Sequence, residues 1–350
     1  MMSNKIKVGI IGAGGIAQYA HIPGSQKLKD VELLAVADPV AGRAKGVAEK
    51  FNIPRYFEDP QKMLAIAELD AVSVCVPNYL HAPLTIAALE AGKHVLCEKP
   101  PAMNAKEAAG MLAAAKKANK MLMYALQRRF QGDSQMLKRF IDAGQLGEIY
   151  YVKTSYLRRR GNPGGWFSQK AKSGGGPVID IGVHILDLVW WLMGTPKPIR
   201  VSASTYSKIG LAGVEVPGWK ALDSTVADIF DVEDLATALI RFENGATVFM
   251  DTSWILNNKT SVVSTELYGT RGGAKLDPLE IYTEMQATLV DITPAHAKVS
   301  SYDAEVAHFI ECIKGNKEPI SNAEHGVGIM KMLDAVYKSG ELLREVEVSE

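Results

Sequence analysis

The sequence has few cysteines, few aromatic residues and no excess of charge of either sign. The three cysteines, Cys75, Cys97 and Cys312, include no C-x-x-C pair, so neither a disulfide framework nor a zinc-ligand cluster is expected. The 39 Lys and Arg balance the 39 Asp and Glu, which leaves no basic stripe for nucleic acid or an anionic membrane surface. We therefore predict a protein of the reducing cytoplasm with neither nucleic acid nor membrane as a partner.

Long hydrophobic runs are also absent from the sequence. The strongest apolar neighbourhood, Ile185–Met193, contains Asp187 and is far shorter than the roughly 20 residues that a membrane helix requires. Lys5 and Lys7 precede an apolar stretch at residues 8–17, but its glycines are unfavourable in the apolar helix of a signal peptide. The sequence predicts a soluble protein, and its 350 residues suffice for two ordinary domains.

A glycine-rich turn follows the first predicted strand. The β-rich run Lys5–Ile11 passes into Gly12-Ala13-Gly14-Gly15-Ile16-Ala17, a G-x-G-x-x-A fingerprint that opens a helix. In dinucleotide-binding folds such glycines allow a tight turn and close approach of a pyrophosphate. A second strand, Glu32–Ala37, ends in Asp38, whose carboxylate would bind an adenosine ribose and repel a 2′-phosphate. We predict NAD as the cofactor, with NADP possible, and as its ligands Gly12, Gly14, Gly15, Ile16 and Asp38.

Strands and helices continue to alternate after this turn. Strands are predicted at Ala71–Val76, His94–Cys97 and Met121–Ala125 with helices between them, which is typical of a parallel sheet. This order favours cofactor binding over the alternative that the glycines form only a tight turn and Asp38 caps a helix. Ligands of such sheets bind at the carboxyl ends of the strands. The stretches at these ends are unusually polar, and they include Pro77, Asn78, His81, Glu98, Lys99, Gln127, Arg128 and Arg129.

After about residue 125 the pattern changes to long alternating strands. Period-2 segments at 148–156, 200–205, 234–242, 246–254 and 261–268 predict a mostly antiparallel sheet with one face packed on helices and the other open. Asn244-Gly245 is a hairpin signal between two of these strands. The predicted fold is α/β, with a doubly wound parallel sheet in a dinucleotide-binding domain at residues 1–125 and an α+β domain at residues 126–350.

A histidine lies between two carboxylates on a predicted helix over residues 178–192. Asp180, His184 and Asp187 are spaced four and three residues apart, which places them on one helical face. One interpretation is a general base that faces a nicotinamide, since neighbouring negative charge raises the pKa of an imidazole and orients its ring. A structural histidine and a metal site are the alternatives. We predict no metal, because no further cluster with ligand spacing lies nearby.

Together these motifs resemble the Gfo/Idh/MocA family, which takes its name from glucose-fructose oxidoreductase, inositol 2-dehydrogenase and a rhizopine-catabolism protein. The resemblance extends almost from end to end. It rests on Gly12–Ala17, on Glu98-Lys99-Pro100, on Trp166-Phe167 with the glycines 174–176, and on Asp180-x-Gly182-x-His184-x-x-Asp187. It implies a Rossmann domain joined to a domain with an open sheet, and hydride transfer between a nicotinamide and a carbinol carbon of a sugar, cyclitol or sugar derivative.

The resemblance also implies roles for individual residues. Lys99 would hydrogen-bond the reacting hydroxyl, His184 would be its general base, and Asp180 would bind substrate and position that histidine. Cofactor contacts are implied for Pro77, Asn78, His81, Glu98, Lys99 and Gln127. The open sheet would pair with another copy in a homodimer or homotetramer.

Two other functions are compatible with the same motifs. One is an NAD-retaining glycoside hydrolase that works by transient oxidation, which would release an aglycone without net NADH. The other is a non-catalytic NAD-dependent sensor, which would bind a partner in an NADH-sensitive way without turnover. The loops Arg158–Gly165 and Gly210–Ser224 are expected to decide substrate specificity.

Overall fold

The computed structural model describes residues 5–210 and 229–349, and the chain forms two compact units. The first unit comprises Met1–Gln127 with Ser300–Met330, and the second comprises Arg128–Val299 with Lys331–Glu350. The domain boundary predicted from the sequence, at residue 125, assigns all later residues to the second domain. In the structure the segment 300–330 packs with the first unit instead, where Asp303 accepts a hydrogen bond from Lys27 at 2.6 Å.

Strands and helices are distributed throughout the described residues. The strands are β1 (Ile6–Ile11), β2 (Val31–Ala37), β3 (Arg55–Phe57), β4 (Ala71–Val74), β5 (His94–Cys97), β6 (Leu122–Tyr124), β7 (Ile149–Leu157), β8 (Pro198–Tyr206), β9 (Leu235–Phe242), β10 (Thr247–Ser253), β11 (Val262–Gly269), β12 (Gly272–Leu276), β13 (Glu280–Met285), β14 (Thr288–Ile292) and β15 (Val346–Glu347). The α-helices are α1 (Ile22–Gln26), α2 (Arg43–Phe51), α3 (Pro60–Leu64), α4 (His81–Glu90), α5 (Ala105–Ala118), α6 (Gly132–Asp142), α7 (Lys170–Ser173), α8 (Val183–Leu192), α9 (Ser301–Gly315) and α10 (Ala323–Leu342). Two π-helical turns, Ala17–His21 and Val178–Gly182, directly precede α1 and α8.

A six-stranded parallel sheet is the centre of the first unit. Its strand order is β3-β2-β1-β4-β5-β6, and every neighbouring pair is parallel. The chain progresses outward in both directions from β1 and β4, which makes the gap between their carboxyl ends a topological switch point. The short apolar runs in β4 and β5 are almost fully buried, as in a sheet that helices cover on both faces. The predicted doubly wound parallel sheet is confirmed.

A nine-stranded sheet is the centre of the second unit. Its order is β14-β13-β12-β11-β7-β10-β9-β8-β15, and only the β7–β10 pair is parallel. Val152, Ile240 and Val248, which lie on one face, are fully buried. The neighbouring positions of the other face are only half-buried, as at Tyr151 and Phe249. The mostly antiparallel sheet and the β9–β10 hairpin are confirmed.

The alternating pattern did not reveal β12, β13 and β14 at one edge of this sheet. These strands include Gly272 and Gly273, and Leu289 is 86% exposed, so their inward positions are not consistently apolar. A strand without a buried position, such as β14, produces a weak period-2 signal, and two successive glycines obscure the alternation of β12 although its Ala274 and Leu276 are buried. The period-2 pattern therefore did not predict these three edge strands.

The helical stretch before β8 is the most apolar part of the described chain. Lys170–Leu192 is long and apolar enough, with a mean hydropathy of 1.3, to cross a membrane by length and composition alone. Of its apolar window, 89% is buried inside the protein. Such burial is also found in the core helices of soluble proteins, and this stretch carries two of the candidate site residues.

Candidate active site

The glycine turn after β1 has the geometry that a dinucleotide requires. Gly12 has a φ of 93°, and a Cβ there would lie 2.2 Å from the carbonyl oxygen of Cys75, so only glycine fits. A Cβ on Gly14 would meet nothing within 4 Å, which leaves open space beside the backbone. Helical structure begins at Gly15, and Ile16 follows in its first turn. Open space beside a helix N-terminus fits the pyrophosphate of NAD.

Asp38 links the end of β2 to this glycine turn. Its Oδ2 accepts the N–H of Ala13 at 2.9 Å, and its Oδ1 accepts the N–H of Val40 at 2.9 Å. The guanidinium of Arg43 lies 3.6 Å from Oδ1. Helix α2 has Gly42 at its N-cap position, so Asp38 does not cap this helix. A carboxylate oxygen can accept more than one hydrogen bond, so Asp38 retains capacity for a ribose hydroxyl.

The residues after β4 are turned towards the protein itself. Asn78 is 3% exposed and lies in a 3-10 turn, and His81 is 1% exposed at the start of α4. Nδ1 of His81 lies 2.7 Å from the carbonyl oxygen of Pro100, and Nε2 lies 2.9 Å from that of Val76. Burial lowers the pKa of His81, against the opposing effect of these carbonyls. Both ring nitrogens of His81 therefore face backbone carbonyl oxygens, and a neutral ring can donate to only one of them.

Glu98, Lys99 and Pro100 form the turn after β5, with a cis bond between Lys99 and Pro100. Glu98 is 7% exposed, and its Oε2 accepts the backbone N–H of Lys99 at 3.0 Å. Its Oε1 lies 3.0 Å from Nε2 of His21. Burial raises the pKa of Glu98, but His21 and Lys99 outweigh it and hold this pKa below the ordinary value. The ammonium-bearing side chain of Lys99 is half-buried.

Gln127 lies at the end of the first unit, immediately after β6. Its Oε1 accepts a hydrogen bond from the hydroxyl of Ser301 at 2.9 Å, which ties it to the start of α9. The first unit thus brings the predicted cofactor residues to the carboxyl edge of one parallel sheet. This is the edge at which doubly wound sheets bind their ligands.

In the second unit, Asp180 lies in the π-helical turn and His184 in the first turn of α8. Asp180 is 5% exposed, and its Oδ2 accepts the indole N–H of Trp254 at 2.9 Å. Trp254 is fully buried in a cluster with Phe167 and Ile181. His184 is half-buried. The carboxylate of Asp180 is consequently fixed in place from the core, four residues before the half-buried His184.

Asp187, the third member of the predicted face, has a different partner. Its two oxygens accept hydrogen bonds from Nε and Nη2 of Arg129 at 2.9 and 2.6 Å, and both side chains are buried. The guanidinium of Arg129 also lies 5.8 Å from the ring centroid of Trp191. This ion pair anchors α8. The sequence pattern placed two carboxylates beside His184 and Arg129 among the polar residues after the fifth strand, but it contained no signal that pairs Arg129 with Asp187.

Glu233 holds the start of the segment that carries Asp180. Its Oε2 accepts the N–H of Gly176 at 2.9 Å, and its Oε1 accepts the N–H of Val178 and the hydroxyl of Tyr337, each at 3.0 Å. A Cβ on Gly175 would lie 2.0 Å from the Tyr337 hydroxyl oxygen, and one on Gly176 would lie 2.1 Å from the Glu233 carbonyl oxygen. The glycine run is therefore required by close packing. Sequence reasoning missed Glu233 and Tyr337.

The arginines of the predicted specificity loop are used by the protein's own backbone. Nη1 of Arg159 donates to the carbonyl of Lys259 at 3.0 Å, and Nη1 of Arg160 donates to that of Leu256 at 3.0 Å. Of the other predicted loop, Gly210–Ser224, residues 211–224 lie outside the described residues. Across residues 5–210 and 229–349, no group of three or more His, Cys, Asp and Glu is arranged to hold a metal ion.

Comparison with known proteins agrees with this geometry. Residues 6–126 match the family model of the Gfo/Idh/MocA oxidoreductases with an NAD-binding Rossmann fold, and residues 134–275 match the C-terminal domain of the same family. D-glucoside 3-dehydrogenase of Escherichia coli K12 is 37% identical over 353 residues, which cover 99% of each chain.

Solved structures with the same fold cover almost the whole chain. The aldose-aldose oxidoreductase of Caulobacter crescentus, complexed with glycerol, has a TM-score of 0.82 and 26% identity, over 98% of this chain and 99% of that one. Levoglucosan dehydrogenase in complex with NADH has a TM-score of 0.87 and 23% identity, over 99% and 100%. The chain is therefore an NAD-dependent oxidoreductase of the Gfo/Idh/MocA family, as its motifs predicted.

Proposed function

We propose that this oxidoreductase transfers a hydride between NAD and the carbinol or keto carbon of a sugar or glycoside. The observation that carries the proposal is the buried anchoring of Asp180 by Trp254 at 2.9 Å, one helical turn before the half-buried His184. The full-length similarity to a D-glucoside 3-dehydrogenase supports a pyranose substrate. The glycine turn and Asp38 supply a fitting cradle for the cofactor.

The proposed mechanism assigns three side chains to one reaction. Bound NAD supplies a hydride acceptor at its nicotinamide ring. The ammonium of Lys99 donates a hydrogen bond to the oxygen of the reacting carbon and stabilises the negative charge that develops there. His184 accepts the hydroxyl proton during oxidation and returns it during reduction. Asp180, fixed by Trp254, orients His184 and accepts a hydrogen bond from a substrate hydroxyl.

A substrate panel with two variants tests this function. Hexoses, methyl glucosides and cyclitols are incubated with NAD, and the nicotinamide absorbance is followed. We expect Lys99→Met and His184→Asn each to lower kcat roughly 100- to 10,000-fold, while NADH binding by fluorescence is retained. The controls are Lys62→Met and His296→Asn, which change exposed residues of the same types. Native turnover in both site variants would refute the proposed roles.

A chromogenic glycoside separates net oxidation from transient oxidation. With a 4-nitrophenyl glucoside, a dehydrogenase produces NADH while the aglycone remains attached to the sugar. Release of nitrophenol without accumulation of NADH would instead identify a hydrolase that recycles its cofactor. We expect NADH to accumulate in proportion to the substrate consumed.

The open face of the nine-stranded sheet is the proposed contact with a second copy of the chain. On this face the rings of Tyr151 and Tyr268 stack at 5.4 Å, and Phe249 is half-buried on the neighbouring strand β10. Large half-exposed aromatic residues are enriched at subunit interfaces. Tyr268→Glu with Phe249→Glu should produce a monomer by light scattering, whereas the exposed Tyr56→Glu should not. A monomeric native protein would contradict this assembly.

A further inference from the structure

Two buried histidines from separate elements contact the turn that carries Lys99. His21 ends the π-helical turn Ala17–His21 and is 0% exposed, and His81 begins α4 and is 1% exposed. Neither imidazole is accessible enough for direct contact with a substrate. Because buried polar groups are normally hydrogen-bonded, the partners of these two rings show what they do.

His21 acts on Lys99 through Glu98. Nδ1 of His21 is buried and has no hydrogen-bond partner within the described part of the chain, whereas Nε2 lies 3.0 Å from Oε1 of Glu98. A buried N–H without a partner is costly, which assigns the proton to Nε2. Nε2–H therefore donates to Glu98, whose other oxygen accepts the Lys99 N–H at 3.0 Å. The carboxylate thus connects the imidazole to the Lys99 backbone.

His81 acts on the other side of Lys99. Burial lowers the pKa of this ring, which favours the neutral form with a proton on one nitrogen only. The distance from Nδ1 to the Pro100 oxygen is 2.7 Å, shorter than the 2.9 Å from Nε2 to the Val76 oxygen. The shorter distance favours Nδ1 as the donor, which places a hydrogen bond on the carbonyl of the residue after Lys99.

We propose that His21 and His81 are positioning residues, which hold the backbone on both sides of Lys99 and thereby fix the origin of its side chain. They act without touching cofactor or substrate. The inference rests on the proposed role of Lys99 in hydride transfer. A lysine has a long flexible stem, so a shift of its backbone displaces the ammonium, and a displacement of about 1 Å can cost a catalyst roughly 100-fold in rate.

Amide side chains can replace one imidazole nitrogen at a time. Asparagine carries its amide nitrogen close to the place of Nδ1, and glutamine carries it close to that of Nε2. We expect His81→Gln, which loses the donor to Pro100, to lower kcat roughly 10- to 100-fold, and His81→Asn, which keeps it, to lower kcat by only about threefold. His21→Leu should likewise lose roughly 10- to 100-fold, and His21→Gln should recover most of that loss. The KM for NAD should change less than about twofold in all four.

Hydrogen exchange of the Lys99 amide gives a readout that does not depend on turnover. In the protein without cofactor, His21→Leu should accelerate exchange of this amide about tenfold or more, since Glu98 is no longer oriented to accept it. The amide of Glu107, which Asn104 holds at 3.0 Å, serves as the internal reference and should not change. His296→Gln is the control for the substitution of an exposed histidine.

Lys99→Met, measured in parallel, distinguishes the proposed role of Lys99 from the positioning role of the two histidines. Native turnover in Lys99→Met would overturn the proposed function itself. Loss of activity in Lys99→Met together with native kcat in His21→Leu and His81→Gln would overturn the positioning role alone. A raised KM for NAD at constant kcat would also overturn it, because that result indicates direct cofactor contact. Should His21→Leu fail to fold, the His81→Asn and His81→Gln pair decides, and equal losses in this pair would refute the proposal.

Discussion

The two units hold their candidate catalytic side chains by different means. In the first unit, Lys99 lies in a turn whose backbone is held by Glu98 and His81. In the second, Asp180 and His184 lie on a helical segment that buried groups fix at its start, through Glu233, and in the middle of α8, through the Asp187–Arg129 pair. The parallel sheet already immobilises the ends of its strands, so a few side-chain contacts suffice there. A helix that lies on an open sheet needs stronger anchors.

The units also share one feature, a π-helical turn next to the candidate residues. One turn ends at His21, and the other contains Asp180. Pro23 cannot donate a backbone hydrogen bond and lies just after the first turn, whereas Pro177 lies just before the second. Such turns recur at functional sites because they redirect side chains out of the helical register. We infer that the stability of the protein depends mostly on the buried contacts of Glu233 and Asp187 in the second unit. Catalysis depends on contacts in both units.

The largest predicted effect is the loss of the buried ion pair in the second unit. Arg129→Met should destabilise the protein by about 3–5 kcal/mol, because it leaves the Asp187 carboxylate buried without its partner. Arg129→Met with Asp187→Leu should be markedly more stable than the single variant, since an apolar pair pays no desolvation penalty. Urea unfolding measures the free energy of unfolding of both variants. If Arg129→Met left this free energy unchanged, the second unit would not depend on the ion pair, and the contrast between the units would disappear.

The next effect concerns the cap at the start of the Asp180 segment. Glu233→Gln should destabilise the protein by about 2 kcal/mol, because the new amide group turns a donor towards N–H groups that need an acceptor. It should also lower kcat while NADH binding, a property of the first unit, is unchanged. Tyr337→Phe is the milder companion, since it removes only one of the three hydrogen bonds to Glu233.

Thermal unfolding and NADH fluorescence of the same preparations check the cap prediction. If Glu233→Gln weakened NADH binding as much as it lowered kcat, the loss of activity would result from general unfolding of the protein. The cap would then have no specific link to Asp180. If Glu233→Gln kept native stability, the second unit would not depend on this anchor.

The features that the sequence predicted are those encoded by neighbouring residues. The glycine turn, the strand β5 and the Asn244-Gly245 hairpin follow from local patterns, and the structure contains them. The anchoring contacts are different, because each joins residues far apart in the chain. The hydrogen bond from Trp254 to Asp180 is an example. From the sequence alone, a tryptophan is expected in the core and a glutamate on the surface. Only the tertiary packing shows which partner each one binds. The π-helical turns were also not predicted, since they change hydrogen bonding without changing apolar periodicity.

A substitution in the first unit should change ligand preference. Asp38→Ser should weaken NADH binding about tenfold and narrow the preference for NADH over NADPH, because it removes the carboxylate that we propose to bind the ribose and to repel a 2′-phosphate. Fluorescence titration with both nucleotides measures this, with the exposed Asp291→Ser as control. An unchanged preference would mean that Asp38 serves the glycine turn alone.

The smallest effect is a pH dependence that originates in Glu98. The pKa of Glu98 in the folded protein lies below its ordinary value, so the unfolded chain binds more protons between these two values. Its contribution is therefore complete above the ordinary pKa of a glutamate, and it is lost as the pH falls towards the folded pKa. Glu98→Gln cannot titrate, so the stability difference between native protein and variant should shrink as the pH falls from about 5 to about 3. Thermal melts across this range, with Lys99 intact, measure it. A constant difference would show that His21 and Lys99 do not stabilise the Glu98 carboxylate.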